Sequence, residues 1–216
     1  MKAAIAREET RDLILDAADR LLARYGYRKM TVDDIAREAG IGKGTIYLHF
    51  KSKEEVALSR IDRVIEQLKD RLLEMARTTH PVPERLRRML LERVLFRFDA
   101  VQHYTESLND IFATVRPGLL ARRERHFADE AAIFAEVLKE GRRAGVFAFR
   151  DTRATARAFI VETNALLPYT LSVRELGERK RVEEETAQIA QLIINGLLVT
   201  SSGMRADRAK VRRLTK

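Results

Sequence analysis

The chain has 216 residues, 45% hydrophobic and 34% charged, a balance that belongs to a soluble globular protein with a sizeable core. It has no cysteine, which excludes a disulfide framework and thiol chemistry, and its 4 prolines and 10 glycines favour long helices over many turns. The net charge of +9 suits a polyanionic partner but is unevenly spread: residues 1–52 hold ten Lys or Arg against eight Asp or Glu, and residues 203–216 hold six against one.

The opening MKAAIAREETRD lacks the apolar core of a signal peptide, which fits a cytoplasmic protein. Ile14, Ala17, Ala18, Leu21, Leu22 and Tyr25 then form one apolar face and predict a helix over 9–25, ended by Gly26. Thr31 is a good N-cap, and Asp34, three residues on, is a carboxylate version of the capping box. With Asp33 it suits the positive end of the helix dipole. Val32, Ile35, Ala36 and Ala39 share the inner face of this short helix, and Gly40 stops it. A second short helix begins near Gly42 with Ile46 and Phe50 inward. That leaves Lys43, Thr45, Tyr47 and His49, all hydrogen-bond donors, to point elsewhere.

Ser52 to Glu55 is an S-x-x-E capping box that opens a long helix to about Ala76. Pro81 and Pro83 break the chain before a helix over 84–102. Arg116-Pro117-Gly118 is the next predicted break, after a shorter helix or turn, and a helix over 119–143 stops at Gly145. The only strand-like stretch is VFAF at 146–149. Asp151 or Thr152 caps a helix to about Val173, Leu176-Gly177 punctuates, and the last helix spans 181–200. The longest apolar run, Ile189 to Val199, is well short of the roughly 18–20 residues that span a bilayer and reads as a buried interface, so no membrane partner is expected. The basic end reads either as a solvated terminus or as salt-sensitive attraction to DNA.

Two short helices joined by a glycine turn have the layout of a helix-turn-helix, whose second helix lies in the DNA major groove. From about Arg7 to about Lys53, and above all in GIGKGTIYLHFKSKEE from Gly40 to Glu55, the chain resembles the tetracycline-repressor (TetR/AcrR) family of bacterial transcription regulators. It departs at Leu48, where many members carry a second aromatic residue. The resemblance implies an all-α fold. A three-helix DNA-binding unit would occupy 1–52, a larger helical effector-binding and dimerisation domain 53–202, and a flexible basic tail 203–216. It also implies a homodimeric repressor that leaves a palindromic operator when a small molecule binds, with no cofactor, no metal and no enzymatic activity.

Residues matching the family's DNA contacts take roles by their chemistry. Thr31 holds a phosphate, Lys43 and Thr45 reach base edges, and Gly44 lets the backbone come close. Tyr47, His49 and Lys53 bond phosphates. Ala158, Val161 and Ala165 on one helix, with Ala190, Ile194, Leu197 and Leu198 on the last, are the expected dimer surface, the alternative being packing within one subunit. Phe96, His103, Tyr104, Phe112, Phe127, Asn164 and Tyr169 are candidates for lining a pocket for an apolar or aromatic effector, against ordinary core packing. The four histidines His49, His80, His103 and His126 are scattered, and no nucleophile or phosphate-loop motif is present, which argues against an enzyme. A DNA-binding dimer with no sensing role is the remaining alternative.

Overall fold

The computed structural model describes residues 2–102, 108–168 and 177–199. His103, Tyr104, Tyr169 and the basic segment 203–216 lie outside these residues. The described elements, in chain order, are α1 (Lys2–Lys29), α2 (Val32–Ala39), α3 (Lys43–His49), α4 (Lys53–Ala76), α5 (Val82–Val101), α6 (Leu108–Arg143), α7 (Thr152–Glu162), a 3-10 turn (Thr163–Leu166) and α8 (Arg179–Leu197). The fold is all-α, an N-terminal helix-turn-helix unit followed by a larger helical domain. No described helix is long and apolar enough to cross a membrane.

Several helix ends differ from the sequence expectation, each for a local reason. Gly26 does interrupt α1, with φ 73° and ψ 169°, but the chain resumes one helical turn as far as Lys29. Helix α5 starts at Val82, ahead of the predicted 84, because Pro83 sits in the first turn, where its missing N–H costs nothing. The break predicted at Arg116-Pro117-Gly118 does not occur, and α6 runs straight through. Pro117 is exposed, so the carbonyl it leaves unbonded faces water. Gly118 allows a close approach to α4, since a Cβ there would lie 2.5 Å from Leu58 Cδ1. Helix α7 ends at Glu162 and not near 173. One 3-10 turn follows, and Leu167 is extended (φ −84°, ψ 143°), as the residue before Pro168 must be. The strand-like segment makes a single antiparallel bridge, Phe147 to Leu198, where Ala148 N donates to Leu197 O (2.8 Å) and Val199 N to Val146 O (3.0 Å).

Two main cores result. The first joins Ile14, Leu21 and Leu22 of α1 to Ile35 and Ala36 of α2, Ile46 and Phe50 around α3, and Val56 and Ala57 of α4. Ile111 and Val115 of α6 complete it, so the DNA-binding unit shares its core with the larger domain and is not sealed off at residue 52. The second core joins the far end of α4 to α5, α6, α7 and α8 through Leu68, Met89, Phe134, Phe159 and Ile194. Phe134 and Phe159 meet edge to face at 6.0 Å.

A charge cluster lies inside the second domain. Glu130 and Arg93 are fully buried and Arg97 nearly so. Arg93 Nε donates to Glu130 Oε2 (2.7 Å), Arg97 Nη2 to Glu130 Oε1 (2.5 Å), and Arg93 Nη1 to Thr163 Oγ1 (2.7 Å). Burial pushes the Glu130 carboxyl up, but the two guanidinium groups outweigh it and hold its pKa below the ordinary carboxylate value. A carboxylate depressed in the folded state stabilises the fold above the unfolded pKa of about 4.3, and that contribution is lost as pH falls through the lower folded value. Glu130→Gln is expected to remove about 3–5 kcal/mol of stability at neutral pH, because it strands two buried cations. Urea unfolding from pH 7 down to 3 checks this. The variant should lose the acid-side decline that the wild type owes to this group, and a loss below about 1 kcal/mol would contradict the assignment.

Candidate nucleic-acid interface

Helices α2 and α3 form the helix-turn-helix, and their ends are built as the sequence suggested. Thr31 accepts from Asp34 N (3.1 Å), while Thr31 N donates back to Asp34 Oδ2 (3.1 Å), closing a full reciprocal capping box. Gly40 takes the left-handed conformation (φ 67°, ψ 28°), and Ile41 N donates to Ala36 O (3.0 Å), turning the chain sharply into α3. Ile46 and Phe50 are buried, so α3 is anchored on one side. Ser52 then caps α4 by accepting from Glu55 N (3.2 Å), and Glu55 Oε2 accepts from Lys51 N (2.6 Å), one residue further back than in the usual box.

What α3 presents outward is chemically distinctive. Lys43, Gly44 and Tyr47 are exposed, while Thr45 and His49 are half-buried. Leu48 is 75% exposed, a large apolar side chain with no core to enter. Gly44 has ordinary negative φ, and a Cβ there would meet nothing within 4 Å. Neither backbone conformation nor internal space calls for glycine at that place.

Three residues predicted to touch DNA are already engaged within the protein. The Thr31 hydroxyl also donates to Asp34 Oδ2 (2.6 Å), so its one proton is in use. This bond from Thr31 leads the interactions that hold the Asp34 carboxyl below its ordinary value. Lys43 Nζ pairs with Asp33 Oδ2 at 2.7 Å. Lys53 Nζ donates to Tyr27 O (3.1 Å) and stands 4.3 Å from the centre of the Tyr27 ring, which fixes the start of α4 to the end of α1. Its role in the free protein is therefore a tie between helices. Burial and the nearby Glu54 carboxylate push the Tyr27 phenol well above its ordinary pKa, so it stays neutral.

Residues 14–59 match the family model described as bacterial regulatory proteins, tetR family. The N-terminal unit carries a tetR-family regulatory domain. YhgD of Bacillus subtilis, an HTH-type transcriptional regulator, is 34% identical over 89 residues, which cover 41% of this chain and 47% of that protein. BepR of Brucella suis, an HTH-type transcriptional repressor, is 28% identical over 159 residues, 71% of this chain and 76% of that protein. A TetR-family regulator from Pectobacterium atrosepticum has the same fold, with a TM-score of 0.71 at 18% identity over 91% of this chain and 97% of its own. The chain spans about half the length or less of several curated relatives, 47%, 34% and 48% for three of them.

Of the predicted pocket residues that are described, only Phe112 borders the apolar cavity between α1, α4, α5 and α6. That cavity measures about 60 Å³ and is also walled by Leu22, Ile61, Ile65, Val101 and Pro168, with Arg60 and Arg97 at its edge. Phe127 is core, flanked by the Arg93 and Arg123 guanidinium groups at 5.6 and 5.8 Å. Phe96 is half-buried beneath Arg71 at 4.6 Å, and Asn164 ends up in the 3-10 turn, where its carbonyl accepts from Leu167 N (3.1 Å). The wall residues from α1 and α4 escaped the sequence reading because they look like ordinary helix-face hydrophobics. Among the expected dimer residues, Ala158, Val161, Ala165 and Leu198 are exposed and Leu197 is half-buried. Ala190 and Ile194 are not surface residues. With Val182 and Thr186 they form the stripe that α8 turns into its own subunit, and Leu192, 74% exposed, lies on the face left free.

Thr31→Ala is expected to lower the unfolding free energy by about 1 kcal/mol through loss of the N-cap. Chemical denaturation measures this, and an unchanged midpoint would mean that Asp34 alone holds the helix start.

Proposed function

We propose that the protein is a homodimeric, sequence-specific transcription regulator, a repressor that binds a two-fold symmetric DNA site through α3. The carrying observation is the outward face of that helix. It joins a cation, a tyrosine hydroxyl and an unhindered glycine backbone on a short helix anchored from behind by Ile46 and Phe50. Side chains of this kind bond phosphates and base edges, and Leu48 offers the apolar contact that a thymine methyl group accepts. The match to a family of DNA-binding regulators and the likeness to the repressor BepR support the same reading. Two copies would dimerise through Val161 and Ala158 of α7, Ala165 of the 3-10 turn, Leu192 of α8 and Leu198 just beyond it, so that two recognition helices read two half-sites.

The cavity beside Leu22 supports a ligand-controlled mechanism. It lies where α1 meets α4, α5 and α6, so filling it pushes the DNA-binding unit away from the larger domain. A ligand that binds better to the pushed-apart state lowers DNA affinity by that difference, and the apolar walls favour a hydrophobic or aromatic molecule. A drug-sized ligand needs roughly 300 Å³ or more, so the walls must yield to admit one. The small volume also favours a second reading, a DNA-binding dimer with no effector. Thermal unfolding with a panel of apolar and aromatic compounds separates the two. A compound that raises Tm and weakens operator binding supports sensing, and none across a broad panel supports the second reading.

Selection of duplexes from a random pool, followed by fluorescence anisotropy, tests DNA recognition itself. Tyr47→Ala is expected to weaken binding to the selected site by about 1–3 kcal/mol without unfolding the protein. Gly44→Ala should leave stability equal or higher by up to about 1 kcal/mol, since alanine suits a helix better, and yet impair binding. Full affinity in both variants would remove α3 from the interface.

A further inference from the structure

The ion pair between Asp33 and Lys43 joins the two helices of the motif across their outer surface. Asp33 Oδ2 and Lys43 Nζ are 2.7 Å apart, with side chains 58% and 50% exposed. The neighbouring acid has a different task. Both oxygens of Asp34 are used within α2, by the Thr31 cap and by Arg37 at 3.3 Å. Asp33 makes no capping bond and fills no core, and it places a negative charge beside the residues that meet a polyanion. Such a charge opposes binding to any phosphate backbone; it suits the positive end of α2, and its one side-chain contact is Lys43. An ammonium has three donors. One directed at Asp33 leaves two, and guanine shows two adjacent acceptors, O6 and N7, in the major groove. The bond also raises the Lys43 pKa, which keeps the group charged.

Resting on the DNA-binding reading above, we infer that Asp33 is a positioning residue for base selection: it steers the Lys43 ammonium toward a guanine edge at the specific site and withholds it from phosphates elsewhere. The pair thereby trades non-specific attraction for discrimination. An asparagine in place of Asp33 keeps the shape and the start of α2, and it frees the lysine.

The test compares wild type, Asp33→Asn, Lys43→Ala and the double variant, each checked for an unchanged Tm, by anisotropy on the selected duplex and on a scrambled duplex over a salt series. Asp33→Asn is expected to bind scrambled DNA about threefold tighter or more, the effect of one exposed charge a few ångströms away. Its log–log salt slope on that duplex should steepen by about one counterion. Affinity for the selected site should stay level or fall, and reselection should show a relaxed base preference at one position per half-site. In the Lys43→Ala background the Asp33 substitution should leave the ratio of the two affinities unchanged. Equal tightening on both duplexes, no tightening at all, or the same change of ratio without Lys43 would each overturn the inference. Failure of the wild type to prefer any duplex would instead remove the DNA-binding reading, and this inference with it.

Discussion

The charge pairing that holds α4 between α1 and α6 is the constraint on which the arrangement of the two domains depends. Asp12, Asp16 and Asp19 form a row along α1 at helical spacing, and Arg60 and Arg63 of α4 face it. Arg63 bonds Asp16 at 2.7 Å and Asp19 at 2.9 Å, and Arg60 pairs with Asp19 while reaching Ala100 O of α5 at 3.0 Å. On the other flank, Asp62 pairs with Arg122 and with His126 Nε2 (2.9 Å), and Lys69 with Asp129 (2.9 Å). Burial pushes Asp62 up, but its bond to His126 and the Arg122 charge outweigh this and leave its carboxyl below the ordinary value. Pairs as exposed as Arg63 with Asp16 contribute little each, so their effect is directional. They fix how α4 is rotated, while the shared apolar core of Leu22, Val56, Ala57 and Ile111 supplies the adhesion.

A shared core also changes what a domain boundary means here. Ile111 and Val115 belong to the larger domain by sequence position and to the DNA-binding unit by packing. Arg28, at the end of α1, reaches Asp110 at 2.7 Å near the start of α6. The second domain therefore touches the helix-turn-helix unit by two routes, along α4 and directly through the first turns of α6. The cavity beside Leu22 lies between those routes.

The motif was legible because its determinants are local. Thr31, Gly40 and Ser52 each act on backbone groups within a few residues, so their identity and spacing suffice to place caps and turn. Where the reading failed, the deciding partner was distant in sequence. Pro117 reads as a break unless one knows that it faces water and that Gly118 meets Leu58. Ala190 and Ile194 look the same whether an apolar stripe faces its own α5 or another subunit. Arg93 and Arg97 stand four apart on one face of α5, but nothing local announces that Glu130 of α6 pairs with both. Lys43 and Lys53 are a different case: their DNA roles rest on residue type, and the structure adds that Asp33 and Tyr27 hold them in the free protein.

The small bridge between Phe147 and Leu198 bears on how the last helix can move. Its two hydrogen bonds join the end of α8 to the turn after α6, and the side chain of Phe147 is sunk beside Gly141 in the second core. Sliding α8 along its own axis would break both bonds and extract the ring. A swing about that pinned end breaks neither. Helix α8 is held at its far end too, where Arg179 pairs with Asp99 of α5 at 2.8 Å, so an angular motion about the pin must first part that pair.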